Sequence, residues 1–386
     1  MTRDGFGLID EWGPEKVVMV SDRKTGMRGV LVIDNTARGF GKGGTRMSPT
    51  LRVDEVARLA RAMTWKWAAV DLFHGGAKAG ILGDPNRSDK ESILRAFARA
   101  LQNEVPAEYV FGLDMGLRES DAAIFADELS DRGASTGLPR ALGGMPYDQL
   151  GVTGFGVAEA TDAATGRIDL DIRAARVSVH GFGAVGQAAA LRLAELGAIV
   201  VAVATAEGTV YDPDGLDVAD LVRRWTEFGD AFVRQCPSPL PAEAALTIPT
   251  DILIPAARQD TIDVKTAGEV TARLVVEGAN LPTSDAARHV LQERGILIVP
   301  DFIANAGGIV AAAHSTDAGN SPFVVNTADV FAMITEKLRG NALAVIDKSR
   351  AEGIDTHRAA QIIAQERVAE AMELRGQLSR GSAALV

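Results

Sequence analysis

The chain has 386 residues, 47% of them hydrophobic and 24% charged, with a formal net charge of −11. That length accommodates two or three domains, and the acidic balance argues against a nucleic-acid partner. The single cysteine, Cys236, excludes an internal disulfide framework and a cysteine-based metal site, and no apolar run reaches the length of a membrane span.

Met1-Thr2-Arg3-Asp4-Gly5 is not followed by a signal-peptide core, so a cytoplasmic location is the default expectation. Residues 16–20 and 29–33 read as strands. They lead into a loop from Arg38 to Arg46 with Gly39, Gly41, Gly43 and Gly44, a composition that implies close backbone packing or a ligand. A helix is expected over 52–71, because Val56, Leu59, Ala60, Met63 and Trp67 recur at three- and four-residue steps. Lys66 falls near its end. Lys78 follows in Gly75-Gly76-Ala77-Lys78-Ala79-Gly80, read as a glycine turn before Ile81-Leu82. Ser88-Asp89-Lys90-Glu91 has a capping-box pattern and predicts another helix. Glu108–Phe111 reads as a strand ending in Gly112-Leu113-Asp114-Met115-Gly116.

Any single lysine is by default a solvated surface charge. Lys66 lies among Trp65, Trp67, Ala68 and Ala69, and Lys78 among glycines, which makes the pair candidates for a partly dry pocket. There, desolvation or a second cation lowers a lysine's pKa and fits it for acid–base work. Asp114 has two readings: an acid reaching into a cleft from a strand end, or a cap for a helix starting near Glu119.

Residues 131–151 are rich in Gly and Pro and read as a connector. A helix is expected from about Thr153-Gly154. The strand Arg176–His180 then runs into Gly181-Phe182-Gly183-Ala184-Val185-Gly186 and an apolar helix. This is G-x-G-x-x-G in strand–turn–helix context: the first glycine turns, the second admits a pyrophosphate, the third packs helix on strand, and the helix N-terminus stabilises phosphate charge. The next strand ends in Ala204-Thr205-Ala206-Glu207, where a carboxylate on the ribose 2′-hydroxyl favours NAD. Further strands end in Pro255-Ala256-Ala257, Glu277-Gly278-Ala279-Asn280 and Pro300-Asp301, with Asn305-Ala306-Gly307-Gly308 beyond. Residues 325–376 read as two long helices.

From about Gly41 to Ala313 the sequence resembles the glutamate/leucine/phenylalanine/valine dehydrogenases. The resemblance is carried by Gly43-Gly44-Thr45-Arg46, Met63-Thr64-Trp65-Lys66 and Gly75-Gly76-Ala77-Lys78. It implies an α/β fold of two domains: a substrate-binding and oligomerisation domain over 1–140, joined by C-terminal helices 326–386, and a Rossmann-type doubly wound domain over 145–325. The implied reaction is reversible oxidative deamination of an L-amino acid to a 2-oxo acid and ammonium, with NAD or NADP, in a hexamer or octamer, and without a metal. Lys66 would hold the substrate α-carboxylate, Lys78 would activate water, and Asp114 would take up and pass on protons. Thr153, Asn280 and Asn305 would face the nicotinamide side, with Ala256 and Ala257 on the cofactor crevice. The family's acid at the ribose is Thr205 here, so the choice of cofactor stays open.

Two positions point opposite ways on the substrate. Lys42, before Gly43-Gly44, matches the glutamate enzymes, whose lysine grips a side-chain carboxylate. The serine those enzymes carry beyond Asn-Ala-Gly-Gly is Ala312 here, with His314 or Ser315 as substitutes. Lys42 therefore meets an acidic substrate or points to solvent. The expected activity is glutamate dehydrogenase. The alternatives are a leucine-, valine- or phenylalanine-type enzyme, and a catalytically silent cofactor-binding regulator, for which Leu117, Thr205 and Ala312 speak.

Overall fold

A computed structural model describes residues 5–145 and 150–378. The chain forms two compact units. The first takes in the described residues of Met1–Pro146, Ile309–Val330 and Ile362–Val386, the second those of Tyr147–Gly308 and Phe331–Gln361. These bounds differ from the expected 1–140, 145–325 and 326–386. Helix Gly307–Gly319 falls mostly in the first unit, helix Thr327–Glu352 mostly in the second, and only the later part of Thr356–Leu374 returns to the first.

The first unit is built on strands β1 (Lys16–Asp22), β2 (Met27–Asn35), β3 (Gly41–Lys42), β4 (Thr45–Ser48), β5 (Gly75–Leu82) and β6 (Tyr109–Val110), in the order β1-β2-β5-β3-β6 with β4 also on β5. Helix α1 (Val53–Ala69) covers one face, where Val30 and Val32 pack with Val56 and Ala60. Helices α2 (Lys90–Ala100) and α3 (Glu119–Glu128) belong to the other face, where Leu31, Ile33, Ala77, Ala79 and Ile81 join Phe97, Phe111 and Phe125. Strands β2 and β5 are therefore buried on both sides, which is why their sequences lack polar alternation.

The expected glycine turn around Lys78 is in fact this central strand. β5 pairs with β2 antiparallel and with β3 and β4 in parallel. Its glycines serve close packing. A Cβ on Gly76 would collide with Thr64 of α1, and one on Gly80 with Leu51. Residues 41–42 and 45–48, in and just beyond the expected loop, likewise form short strands. α2 begins one residue after Asp89, whose carboxylate is held by Arg87, so the expected Ser88 capping box does not form. Pro146, within the expected connector, lies outside the described residues.

In the second unit, α4 (Val152–Thr165) precedes β7 (Arg176–His180), α5 (Ala184–Glu195), β8 (Ile199–Thr205), β9 (Gly208–Tyr211), β10 (Ile252–Pro255), β11 (Leu274–Val276) and β12 (Leu297–Val299). The sheet order is β12-β11-β10-β7-β8-β9, parallel except for the β8–β9 hairpin. The chain runs outward from β7 to β9 and then returns to β10 on the other side of β7. This is a doubly wound sheet, with its switch point between the carboxyl ends of β7 and β10. No helix among the described residues is long and apolar enough to cross a membrane.

Candidate active site

Side chains on a strand alternate between faces. Ala77, Ala79 and Ile81 join the cluster with Phe97, so Lys78 lies on the α1 face, in register with Val32. Gly76 and Gly80 flank it on that face and let α1 close on the strand at backbone distance. Lys78 is 7% exposed.

The carboxylate of Asp114 forms an ion pair with the Lys78 ammonium. It arrives from the loop beyond β6 and takes the Met115 N–H at 2.7 Å. Gly44 admits this approach, since a Cβ there would lie 2.7 Å from the Leu113 carbonyl and 2.8 Å from the Asp114 Cβ. Arg46 stands 3.4 Å from the same carboxylate and pairs with Glu55 at 2.7 Å. Burial would raise the Asp114 carboxyl, but the Lys78 charge and hydrogen bond, the Met115 N–H and the Arg46 charge hold it below the ordinary carboxylate range. Asp114 does not cap the helix near Glu119; the carboxylate of Asp121 accepts the Arg118 N–H there.

Lys42 does not point to solvent. It is 2% exposed, and its ammonium donates to Thr136 Oγ1 at 2.7 Å, the Phe111 carbonyl at 3.1 Å and the Val110 carbonyl at 3.4 Å. All three acceptors are uncharged. Burial pushes its pKa down to about 7. His74 stands between Phe40 and Trp67, each ring 4.8 Å away, and burial followed by the Lys42 charge lowers it to about 4. Gly43 is required because a Cβ would strike the Ala77 carbonyl.

Thr136 was not singled out in the sequence, because it lies inside a segment read as a connector and its partner Lys42 is 94 residues away. It lines a small cavity with Arg132, Leu138, Ser315 and Gly319. The Ser315 Oγ is buried there without a hydrogen-bond partner. Ala312, one turn earlier on the helix, is half-buried, and its carbonyl accepts from Thr316 Oγ1 at 3.0 Å. Lys66 is half-buried in the last turn of α1.

In the second unit the glycine fingerprint sits at the switch point. Gly181 has φ +103°, and a Cβ on it would lie 2.5 Å from the Ala257 nitrogen. A Cβ on Gly186 would collide with the Gly181 carbonyl. Gly183, at the N-cap of α5, has nothing within 4 Å of where its Cβ would be. Crowding at the first and third glycines with open space at the second is what a dinucleotide pyrophosphate requires. The fit extends to the exposed Ala184 and half-exposed Val185 opening α5, and to Ala256 and Ala257 at the end of β10. Phe182 is 1% exposed, so only its backbone is available to a ligand.

Thr205 ends β8. Its hydroxyl donates to the Asp230 carbonyl and accepts the Glu207 N–H, both at 3.1 Å. Asn305 Nδ2 donates to Asn280 Oδ1 at 3.0 Å, so the two candidate asparagines meet. Thr153 lies against Gly308, whose Cβ would be 3.2 Å from its hydroxyl. Below the asparagines is a cluster not foreseen from sequence: Glu277, Asp301 and His357, with ligand-type atoms within 4.8 Å of one another. Glu277 Oε2 accepts the Asp301 N–H at 3.0 Å and lies 2.8 Å from His357 Nε2. Asp301 accepts the Leu281 and Phe302 N–H groups, both at 2.8 Å.

Comparison with known proteins finds relatives along most of the chain. The model of the glutamate/leucine/phenylalanine/valine dehydrogenases matches residues 143–376, and that of the family's dimerisation domain matches 14–131. A glutamate dehydrogenase of Thermotoga maritima is 36% identical over 90% of this chain and 86% of its own. An NADP-specific glutamate dehydrogenase of Saccharolobus shibatae is 32% identical, covering 95% and 90%. An NAD-specific one of Staphylococcus aureus is 34% identical, covering 89% and 84%. Among solved structures, a hetero-hexameric glutamate dehydrogenase from Thermus thermophilus in a leucine-bound form superposes with a TM-score of 0.79 at 32% identity, covering 95% of this chain and 92% of that one.

Proposed function

The chain belongs to the glutamate/leucine/phenylalanine/valine dehydrogenase family and is an NAD(P)-dependent amino-acid dehydrogenase, and we propose that its substrate is L-glutamate. The reaction is L-glutamate + NAD(P)⁺ + H₂O ⇌ 2-oxoglutarate + NH₄⁺ + NAD(P)H + H⁺. The observation that carries the choice of substrate is Lys42, a buried ammonium whose hydrogen-bond acceptors are all uncharged. A buried charge without a counter-ion is costly, and a substrate side-chain carboxylate supplies one. The orphaned Ser315 hydroxyl offers a further donor to that carboxylate, so Ser315 takes the part for which Ala312 has no polar atom.

Lys66 binds the α-carboxylate as a point charge. Asp114 takes a proton from the α-amino group. NAD(P)⁺, when bound, accepts the hydride from the substrate Cα. Lys78, its own proton first released to solvent, then holds and deprotonates the water that adds to the iminium carbon, and steadies the resulting hydroxyl. Asp114 returns a proton to the nitrogen, which leaves as ammonia when the carbonyl forms. The Lys78–Asp114 ion pair supports this assignment, because a proton can pass directly between the two groups. Gly183 and the opening turn of α5 would hold the pyrophosphate, with Gly181 and Gly186 shaping the turn, and Thr153, Asn280 and Asn305 would hold the nicotinamide end. The match to a dimerisation domain supports an oligomer, and a hexamer of identical chains is proposed.

The test is NADH and NADPH oxidation by the purified protein with ammonium and a panel of 2-oxo acids. Preference for 2-oxoglutarate is expected. Turnover confined to branched-chain or aromatic oxo acids would move the chain to another arm of the family, and silence with every acid would leave a cofactor-binding regulator.

A further inference from the structure

The cluster below the asparagines is a chain of hydrogen bonds that begins at His357, in the first turn of helix Thr356–Leu374. His357 Nε2 lies 2.8 Å from Glu277 Oε2. A carboxylate only accepts, so Nε2 carries the proton, and Nδ1 is buried without a partner. The same Glu277 oxygen accepts the Asp301 N–H at 3.0 Å. The Asp301 carboxylate in turn takes the Phe302 N–H with one oxygen and the Leu281 N–H with the other, both at 2.8 Å. Leu281 follows Asn280 directly and has φ +49°. Among the described residues, the other non-glycine positions in the left-handed region are Asp or Ser. Leu281 lacks a short polar side chain to ease that conformation, and its own side chain is 59% exposed, so packing does not impose it. Backbone bonds do: its N–H is on Asp301, and its carbonyl accepts the Asp260 N–H at 2.9 Å.

We propose that His357 is a positioning residue for the nicotinamide end of the cofactor: its Nε2 proton fixes Glu277, Glu277 fixes Asp301, and Asp301 fixes the Leu281 turn that aims Asn280. Asn280 is thereby placed from two sides. Its backbone is set by that turn, and its side-chain oxygen accepts from Asn305 Nδ2 at 3.0 Å. Asn305 Nδ2 also reaches the Gly278 and Ala279 carbonyls, both at 3.4 Å, while the Asn305 oxygen is buried without a partner. That oxygen is the acceptor left for a hydroxyl or amide of the nicotinamide riboside. Glu277 is 1% exposed, and its other oxygen already lacks a partner. Without the His357 proton only the Asp301 N–H remains to it. A buried carboxylate so short of donors is costly, so the segment relaxes, and Asp301 and the Leu281 turn move with it.

This inference rests on the reading of Asn280 and Asn305 as nicotinamide-side residues, so Asn280→Ala is measured beside it. The experiment compares, in the whole protein, the dissociation constant of the reduced cofactor (NADH or NADPH, whichever binds more tightly) by nicotinamide fluorescence and that of ADP by calorimetry. ADP lacks the nicotinamide riboside and reports the other end of the site alone. His357→Leu should weaken the reduced cofactor roughly tenfold, the scale of one hydrogen bond to a charged group, and leave ADP within about twofold. His357→Gln, whose amide can donate to Glu277, should restore most of that affinity. Asp301→Asn, which loses one of two accepting oxygens, should repeat the pattern of His357→Leu, and it carries the test if melting curves show that the leucine variant does not fold. Unchanged affinity in His357→Leu, a loss shared equally by ADP, or a glutamine variant as weak as the leucine one overturns the proposal. Normal cofactor binding by Asn280→Ala would sink the nicotinamide-side reading and this inference with it. A loss in Asn280→Ala without one in His357→Leu would sink the positioning role alone.

Discussion

Asp114 meets Lys78 across Gly44, and the absent side chain of that glycine is the opening through which the carboxylate reaches the central strand. Two residues distant in sequence are thus locked into a proton-sharing pair by a third position that contributes only space.

If that pair is the acid–base machinery, Asp114→Asn keeps its shape and removes its function. The expected loss in kcat is about 10²–10⁴-fold, the usual range for a positioned acid or base, with a smaller change in KM. Lys78→Ala should lose at least as much. Steady-state kinetics with a melting curve for each variant checks this. An unchanged kcat for Asp114→Asn would remove the pair from the chemistry.

Gly183→Ala separates folding from cofactor binding. Nothing stands within 4 Å of the added methyl, and the backbone there, φ −78°, suits alanine. Stability should stay within about 0.5 kcal/mol, as for a surface substitution. The methyl projects where a pyrophosphate must approach, so NADH affinity should fall roughly tenfold or more. Unaltered binding would place the pyrophosphate elsewhere.

Lys42 makes a prediction about pH. Its folded pKa of about 7 lies below the ordinary lysine value of 10.5. The folded state therefore gives up the proton first, and the cost of burying the charge grows as pH falls from the unfolded value and is complete below about 7. Lys42→Met should raise the melting temperature more near pH 6 than near pH 9, if the freed Thr136 hydroxyl stays bonded to the Phe111 carbonyl. A substrate carboxylate binds the charged form, so KM for 2-oxoglutarate should climb above about pH 7 in the wild type. A flat KM profile would exclude Lys42 from the substrate.

Asp301 shows the opposite sign. Burial first, then the neighbouring Glu277 charge, raises its carboxyl above the ordinary range. The folded state holds that proton longer than the unfolded chain, so stability falls as pH rises from the ordinary carboxylate value through the raised one. Asp301→Asn should flatten that part of the melting-temperature profile. It should also weaken NADH binding, because the Asp301 carboxylate fixes the Leu281 amide next to Asn280. A variant with the wild-type slope would assign the pH dependence to another group.

What was legible in the sequence was what is local. Gly181 to Gly186 could be read because strand, turn and helix follow one another within a few residues, and β7 spans the expected Arg176–His180. Lys78 was legible as a candidate but not as structure. The glycines that let α1 close on β5 gave the segment the look of a turn. Thr136 could not be found, since it acquires meaning only through non-local contact, while Ser315 was one of the two substitutes named for Ala312. His357 was hidden for the same reason as Thr136, because the fold brings it to a carboxylate 80 residues earlier. Lys42 was open between substrate and solvent, and the fold buries it.

The central claim is that Lys42 selects an acidic substrate, and the most direct measurement compares kcat/KM for 2-oxoglutarate and 4-methyl-2-oxopentanoate in the wild type and in Lys42→Met. The expected result is a wild-type preference for 2-oxoglutarate that falls by about 10²-fold or more in the variant, the scale of losing a buried charge partner, with the branched-chain acid spared. An equal loss for both acids, or a preference that survives the substitution, would contradict it.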